Sequence, residues 1–400
     1  MPQSDVPFLR SFFVLSGLTI IGPLAFETFL PALEDAAIDL NTEVSTLLIT
    51  IAMMQVGTAS GQIIYGPLSD RFGRRPVILG GMFVFTLSSF LSSLITSPEP
   101  LYILRLFQGL AVASTMIIFR SAIRDLFSVN QGARMYSYLY IVLATMPLVG
   151  PISGGFLTEV FGWRSVFILM GCIGSLVFLV CLIFFRETLP AKDYQAITPD
   201  IVMASFTEML RDRTFLSFLF CGMGAYGGLF AVLAGLAPVM MGFMGETPSI
   251  FGIQFAIVMA AHLVAALFTG QLIQTMGIKN LLFLATGIIS IGGLLLLVLA
   301  LADITTRASI LGPISIFLIG FALTVGPMTA GAMSNFQHMA GRAASLLGFF
   351  QQGTGALVTL WLGSFDAGTQ MPMVLTLAGC SFFSFASFHL LVRQAPLKDE

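Results

Sequence analysis

Twelve apolar stretches, each close to the ~20 residues that a helix needs to cross a bilayer, run along this chain. They fall at about 8–31, 45–66, 77–96, 101–122, 134–157, 163–186, 214–241, 250–274, 281–302, 308–332, 342–364 and 371–393. Composition explains why they dominate. Of 400 residues, 56% are hydrophobic and 10% charged, where a soluble domain carries roughly 25% charge. Mean hydropathy is +0.94. A large soluble helical core would need a polar face on most helices, and these stretches lack one. The expected class is an all-α membrane protein with twelve transmembrane helices.

Charge sets the orientation. Lys and Arg favour cytoplasmic loops. With the N-terminus inside, the inner loops and tails hold Arg10, Arg71, Arg74, Arg75, Arg124, Arg134, Arg186, Lys192, Arg211, Arg213, Lys279, Arg342, Arg393 and Lys398. The outer loops hold only Arg164 and Arg307, beside acids such as Glu34, Asp35, Asp39, Glu43, Glu159, Glu246 and Asp366. Both termini are therefore expected in the cytoplasm. The opening segment MPQSDVPFLR leads into a run long enough to span, with no small-residue cleavage site after it, so a retained first helix is expected. A net charge of −2 with no basic tail or stripe speaks against nucleic acid as a partner. Cys172, Cys181, Cys221 and Cys380 lie inside apolar spans without metal spacing and read as packing residues. No cofactor or metal is expected, and the chain is expected to act as a monomer.

The chain divides in two. Its longest polar stretch, 187–213, separates six spans on each side, giving residues 1–186 and 214–400 as two bundles and 187–213 as a cytoplasmic linker. Within the linker, Ile201 to Leu210 is weakly amphipathic and fits a helix along the inner surface. A faint repeat points to duplication. Gly66, Leu68 and Gly73 after span two match Gly270, Leu272 and Gly277 after span eight, and Lys279 echoes Arg75, while Gln274 stands opposite Asp70.

One acid stands apart. Of 20 Asp and Glu residues, Glu27 alone falls well inside an apolar span. A carboxylate at such a place is expensive and marks a functional site by default. Ser16, Thr19, Pro23 and Glu27 recur at steps of 3, 4 and 4, so they share one helical face. Such a stripe should face a wet cavity. Arg105 is likewise deep in span four, with Gln108 and Gly109 one turn on. It needs an acid or backbone carbonyls as partners, and its depth matches that of Glu27. The plain alternatives are that Arg105 snorkels to the outer headgroups and that Glu27 reaches outer water.

Several motifs then align. Gly66 to Pro76 reads GPLSDRFGRRP, a dense inner turn in which Asp70 can pair with an Arg or cap the next helix, with Arg71 and Arg74 at the inner leaflet. Gly150-Pro151-Ile152-Ser153-Gly154-Gly155 closes span five: the proline removes a helix hydrogen bond, and the glycines admit a neighbouring helix. Arg186-Glu187-Thr188-Leu189-Pro190 closes span six. Together with the Arg105–Gln108–Gly109 signature and with Glu27 followed four residues on by Pro31, these resemble the major facilitator superfamily. Within it the chain is most similar to the proton-coupled drug antiporters of the Bcr/CflA type.

That resemblance implies two pseudo-symmetric six-helix bundles rocking about a central site in a bacterial inner membrane. It implies a secondary transporter, not an enzyme, that exports small lipophilic or amphipathic compounds in exchange for protons. Glu27 and Arg105 would couple the proton. Pairs around Asp70 would latch the outward-open state. The substrate cavity is expected to draw on Thr19, Pro23, Gln108, Tyr226, Gln254, His262, Met328 and Gln351, with Gln55, Gln62 and Gln352 as further polar residues inside spans. A lone histidine such as His262 is more often a satisfied packing group. A dedicated metabolite or siderophore exporter on the same scaffold stays open. A membrane-embedded enzyme is a distant third, because no nucleophile with a base and no acid–histidine cluster lies at membrane depth.

Overall fold

The first span runs through Pro23 and breaks four residues before Pro31. In the computed structural model, which describes residues 8–194, 196–365 and 369–394, helix α1 covers Phe8–Glu27. Pro31 has no N–H, and in a continuing helix its ring would meet the carbonyl four residues back, that of Glu27. A 3-10 turn at Leu30–Ala32 and a short helix, α2 (Leu33–Asp39), follow instead. Residues 1–7, Asp366 and Lys398 lie outside the described residues.

Thereafter come α3 (Val44–Phe72), α4 (Arg74–Ser92), α5 (Glu99–Leu126), α6 (Val129–Phe161) and α7 (Arg164–Phe184). The linker contributes α8 (Pro199–Arg211), where the amphipathic segment was expected. The second half holds α9 (Arg213–Ala237), α10 (Pro248–Met276), α11 (Ile278–Leu301), α12 (Arg307–Met333), α13 (Ala340–Leu362) and α14 (Met371–Leu390). No strand occurs among the described residues. Among the described residues, eleven segments, with α1 and α2 counted together, are long and apolar enough to cross a membrane. The twelfth, α13, has 23 residues but is not among them. Arg342, Gln351 and Gln352 dilute its apolar content.

The two halves repeat one packing plan. In the first, α3 packs on α5, α4 on α5 and α7, and α1 on α5, α6 and α7. In the second, α10 packs on α12, α11 on α12 and α14, and α9 on α12, α13 and α14. Each pairing maps onto its counterpart when α1 is set over α9 and α3 over α10. The contacts between halves obey the same symmetry: α3 lies on α13, and α6 on α10. Bare backbone makes this closeness possible. A Cβ on Gly109 would collide with the Met54 carbonyl, and one on Gly320 with the backbone at Ala285 and Ile289. The faces turned away from these contacts carry exposed Phe83, Leu87, Leu179, Ile257, Val264, Ile291, Leu294 and Phe382, the surface expected toward hydrocarbon.

The GPLSDRFGRRP segment is not a loop. Helix α3 continues through Pro67 to Phe72, and α4 starts at Arg74, so Gly73 alone makes the connection. Its φ of +107° is one that only glycine adopts readily. The second copy does the same: α10 ends at Met276, Gly277 has φ +76°, and α11 begins at Ile278. The register read from the two sequences is thus that of two single-residue elbows.

Candidate functional site

Glu27 sits where α1 stops. Its side chain is buried at 9% exposure, and Oε2 has no hydrogen-bond partner among the described residues. The polar stripe behind it is also turned inward: Thr19 is buried and donates to the Ser16 carbonyl at 2.9 Å, and Pro23 is half-buried. Lipid does not see this face.

The glycine motif of α6 packs directly on it. A Cβ on Gly150 would stand 3.3 Å from Cβ of Glu27 and 3.6 Å from its Oε2. One turn on, a Cβ on Gly154 would strike the Thr28 carbonyl. The next face of the same helix meets the other half. A Cβ on Gly155 would strike the Pro248 carbonyl at the start of α10, and one on Gly252 the Pro151 carbonyl. A single turn of α6 is therefore held between the acid-bearing end of α1 and α10, backbone to backbone on both sides.

Arg105 does not pair with Glu27. Its guanidinium is fully buried, so it does not snorkel. Nη1 donates to the Ala25 carbonyl at 3.0 Å and to Gln108 Oε1 at 3.1 Å. The group lies over the rings of Phe29 at 4.4 Å and Phe167 at 5.2 Å. Arg105 thus satisfies carbonyl and ring faces at the break between α1 and the 3-10 turn, two residues from Glu27. Gln108 is buried with it and donates to Ser89 Oγ at 3.0 Å, so it orients Arg105 inside the first half instead of lining a space between halves.

The remaining expected cavity residues fall in two groups. Tyr226 and His262 are half-buried and come together: the Tyr226 ring stands edge-on to Phe321 at 5.1 Å, and Phe321 stacks on His262 at 5.6 Å. His262 Nδ1 lies 3.3 Å from the Leu318 carbonyl, the position of a satisfied packing group. Gln351 is half-buried on α13, and Gln254 is buried with Oε1 unpartnered among the described residues. Met328 is the exception. It is 1% exposed and packs against Gly222 and Phe218 inside the second half, away from any shared space. Gln55, one of the further polar residues expected to line the cavity, bridges the halves by accepting from Thr359 Oγ1 at 3.1 Å.

At the inner end, Arg74 is buried and carries the charge cluster. It meets Asp70 Oδ1 at 2.6 Å and Asp125 Oδ2 at 3.2 Å. Asp70 pairs with an arginine as expected, yet it does not cap α4. Glu187 does: its carboxylate accepts from the backbone N–H groups of Arg74, Arg75, Thr188 and Leu189. Partial burial works to raise the Glu187 pKa, and these four donors outweigh it, leaving the carboxyl below the usual glutamate range. Asp125 was missed in the sequence, and Glu187 stood there only as part of the motif closing span six, because their partners lie 51 and 113 residues away. All these pairs join elements of the first half and the start of the linker, so the Asp70 pairs do not join the halves. At this level the halves meet by packing, with Gly66 facing Ser345 of α13. Arg71 is half-buried beside Phe72.

Comparison with known proteins agrees with this arrangement. The model of the Major Facilitator Superfamily matches residues 15–359. The chain is 27% identical over 381 residues to the bicyclomycin resistance protein homolog of Haemophilus influenzae, covering 94% of each chain. It is 29% identical over 378 residues to a chloramphenicol resistance protein of Pseudomonas aeruginosa, covering 91% of this chain and 87% of that one. Its fold is similar to that of the xylose transporter XylE from E. coli in a partially occluded inward-open conformation, with a TM-score of 0.75 at 14% identity over 98% of this chain and 99% of the other. With a family match over most of its length, this multi-pass chain belongs to the Major Facilitator Superfamily and is a membrane transporter, not an enzyme.

Proposed function

We propose that this transporter exports small lipophilic or amphipathic compounds, several drugs among them, in exchange for protons entering across a bacterial inner membrane. The halves 1–186 and 214–400 rock about a path between them, 187–213 links them on the cytoplasmic side, and both termini face the cytoplasm. The similarity to proteins named for drug resistance supports the cargo class.

The observation that carries the reading is the sandwich at α6. Glu27 is a buried carboxyl with an unpartnered oxygen, pressed on Gly150, and the other face of that turn is pressed on α10 of the opposite half. An ionised carboxylate there has no counter-ion in contact among the described residues, a costly state in a low-dielectric setting. A proton arriving from outside removes that cost. Cargo arriving from inside competes with the proton, and the exchange shifts α1 against α6. Because α6 also seats α10, a change at Glu27 is felt at the contact between halves.

The test is efflux in everted membrane vesicles loaded with a pH-sensitive dye. Neutral and cationic amphipathic drugs should release protons from vesicles carrying the wild-type chain, and Glu27→Gln should abolish the release while the protein stays folded. Undiminished release from Glu27→Gln refutes the role of Glu27.

A further inference from the structure

The proton site lies where α1, α6 and α10 meet, and leaves the other contact between halves, α3 on α13, without a role. Neither helix is apolar along the face it turns to its partner. Gln55, Gln62 and Gly66 recur on α3 at steps of 7 and 4, so they share a face. On α13, Ser345, Gly348, Gln352, Thr359 and Gly363 recur at steps of 3, 4, 7 and 4 and share another. These two faces meet. A Cβ on Gly66 would stand 3.7 Å from Ser345 Oγ, one on Gly348 3.0 Å from Gln62 Cδ, and one on Gly363 3.0 Å from the Ser45 carbonyl. Within the seam, Thr359 Oγ1 donates to Gln55 Oε1 at 3.1 Å, and both side chains are fully buried.

The seam is closed, yet its polar groups are not all satisfied. Gln55 Nε2, a donor from the first half, and Gln352 Oε1, an acceptor from the second, are buried with no hydrogen-bond partner among the described residues. Gln352 stands one turn from Gly348 and two turns from Thr359 on the face turned to α3. Each unpaired atom weighs against the closed seam. Water entering a parted seam would satisfy both, together with the two groups that now pair with each other. An apolar seam of the same length would instead expose hydrocarbon to that water and resist parting.

We propose that Gln55 and Thr359 are a gate pair between the halves, holding α3 against α13 while the outer side is closed and releasing them when it opens. Thr359 lies three residues from the end of α13 at Leu362, the outer end in the orientation proposed above. The single hydrogen bond fixes the register of the closed seam, as one buried polar pair does in an apolar helix interface. The unpaired Gln55 Nε2 and Gln352 Oε1 keep that closure from becoming permanent. The inference rests on the rocking of the halves in the proposed exporter, and not on the proton.

The experiment follows labelling of Leu48→Cys by a hydrophilic maleimide, on the full chain in nanodiscs, above the background of the same chain without that substitution. Leu48 is 4% exposed and packs where a Cβ on Gly363 would stand, so a thiol there reacts when the seam parts. Thr359→Val leaves Gln55 Oε1 buried without its donor in the closed seam, while water serves it in the open one. Labelling should rise by about tenfold, the scale of one orphaned buried acceptor. Thr359→Ser keeps the donor and should label like wild type. Gln55→Leu combined with Thr359→Val removes both polar partners, so labelling should fall back to the wild-type rate or below it. Damage to packing alone would instead accumulate in the double variant. Thr359→Val labelled no faster than wild type, Thr359→Ser labelled as fast as Thr359→Val, or a double variant as fast as Thr359→Val overturns the gate. Proton release by drugs from everted vesicles reports the exchange separately. Release without the labelling pattern sinks the gate alone; the pattern without release keeps the gate and sinks the proton exchange.

Discussion

The Glu27 carboxylate and Gly150 are in direct register: a Cβ on that glycine would stand 3.6 Å from Glu27 Oε2. The acid therefore lies beneath the one turn of α6 whose other side is seated on α10. Proton state and inter-half contact meet within a single helical turn.

Glycines on the two faces of this turn should fail differently. Gly154→Ala places a methyl group against the Thr28 carbonyl. Overpacking of this kind costs about 1–3 kcal/mol, so thermal unfolding in detergent should shift down together with efflux. Gly150→Ala meets only side-chain atoms at 3.3 Å or more and should leave stability near wild type while altering the pH dependence of transport. Equal stability loss in both variants would contradict the packing described.

Arg105 is held by a carbonyl, an amide oxygen and two ring faces, and no carboxylate is among its contacts. Arg105→Lys keeps the charge but loses the planar group that meets both rings. Both Arg105→Lys and Arg105→Ala should lower efflux, the alanine further, with a stability loss for alanine of about 2–4 kcal/mol from the lost charged hydrogen bonds and the void. Retention of full activity in Arg105→Ala would show that the end of α1 needs no such clamp.

The two elbows give a matched pair. Gly73 and Gly277 both have positive φ, but only Gly73 has a neighbour in the way, the Glu187 carboxylate. Gly277→Ala should cost about 1 kcal/mol from backbone strain, and Gly73→Ala more, because it also displaces the Glu187 cap. Chemical denaturation of the two variants side by side measures the difference.

Glu187 adds a pH signature. Its folded pKa lies below the ordinary value of 4.5, so its contribution is present above that value and is lost as pH falls through the folded pKa. Between neutral pH and about pH 3, wild type should lose more stability than Glu187→Gln, which cannot titrate. Parallel loss in the two proteins would contradict the four-donor cap.

Much of this was legible in the sequence, for local reasons. Apolar runs of spanning length report helices directly, and the Gly66–Gly73 and Gly270–Gly277 repeats reported the duplication because an elbow of one residue demands glycine. The break after Glu27 follows from Pro31. What stayed hidden was long-range. Nothing near Arg105 said that it would choose the Ala25 carbonyl over Glu27, since that choice depends on how α5 docks on α1. Glu187 looked like the end of a span because its four donors belong partly to α4. Met328 and Gln108 were read as cavity residues from polarity or softness, yet burial within one half is set by which helix faces touch. The segment at 66–76 looked like a loop because its charges suggested water, whereas Arg74 is buried against Asp70 and Asp125.

The central claim, that Glu27 carries the exchanged proton, is met most directly by mixing purified protein with drug in weakly buffered solution and reading proton release with a pH dye. Wild type should release protons on binding, and Glu27→Gln should bind the same drug and release none. Equal release from Glu27→Gln would place the exchanged proton on another group.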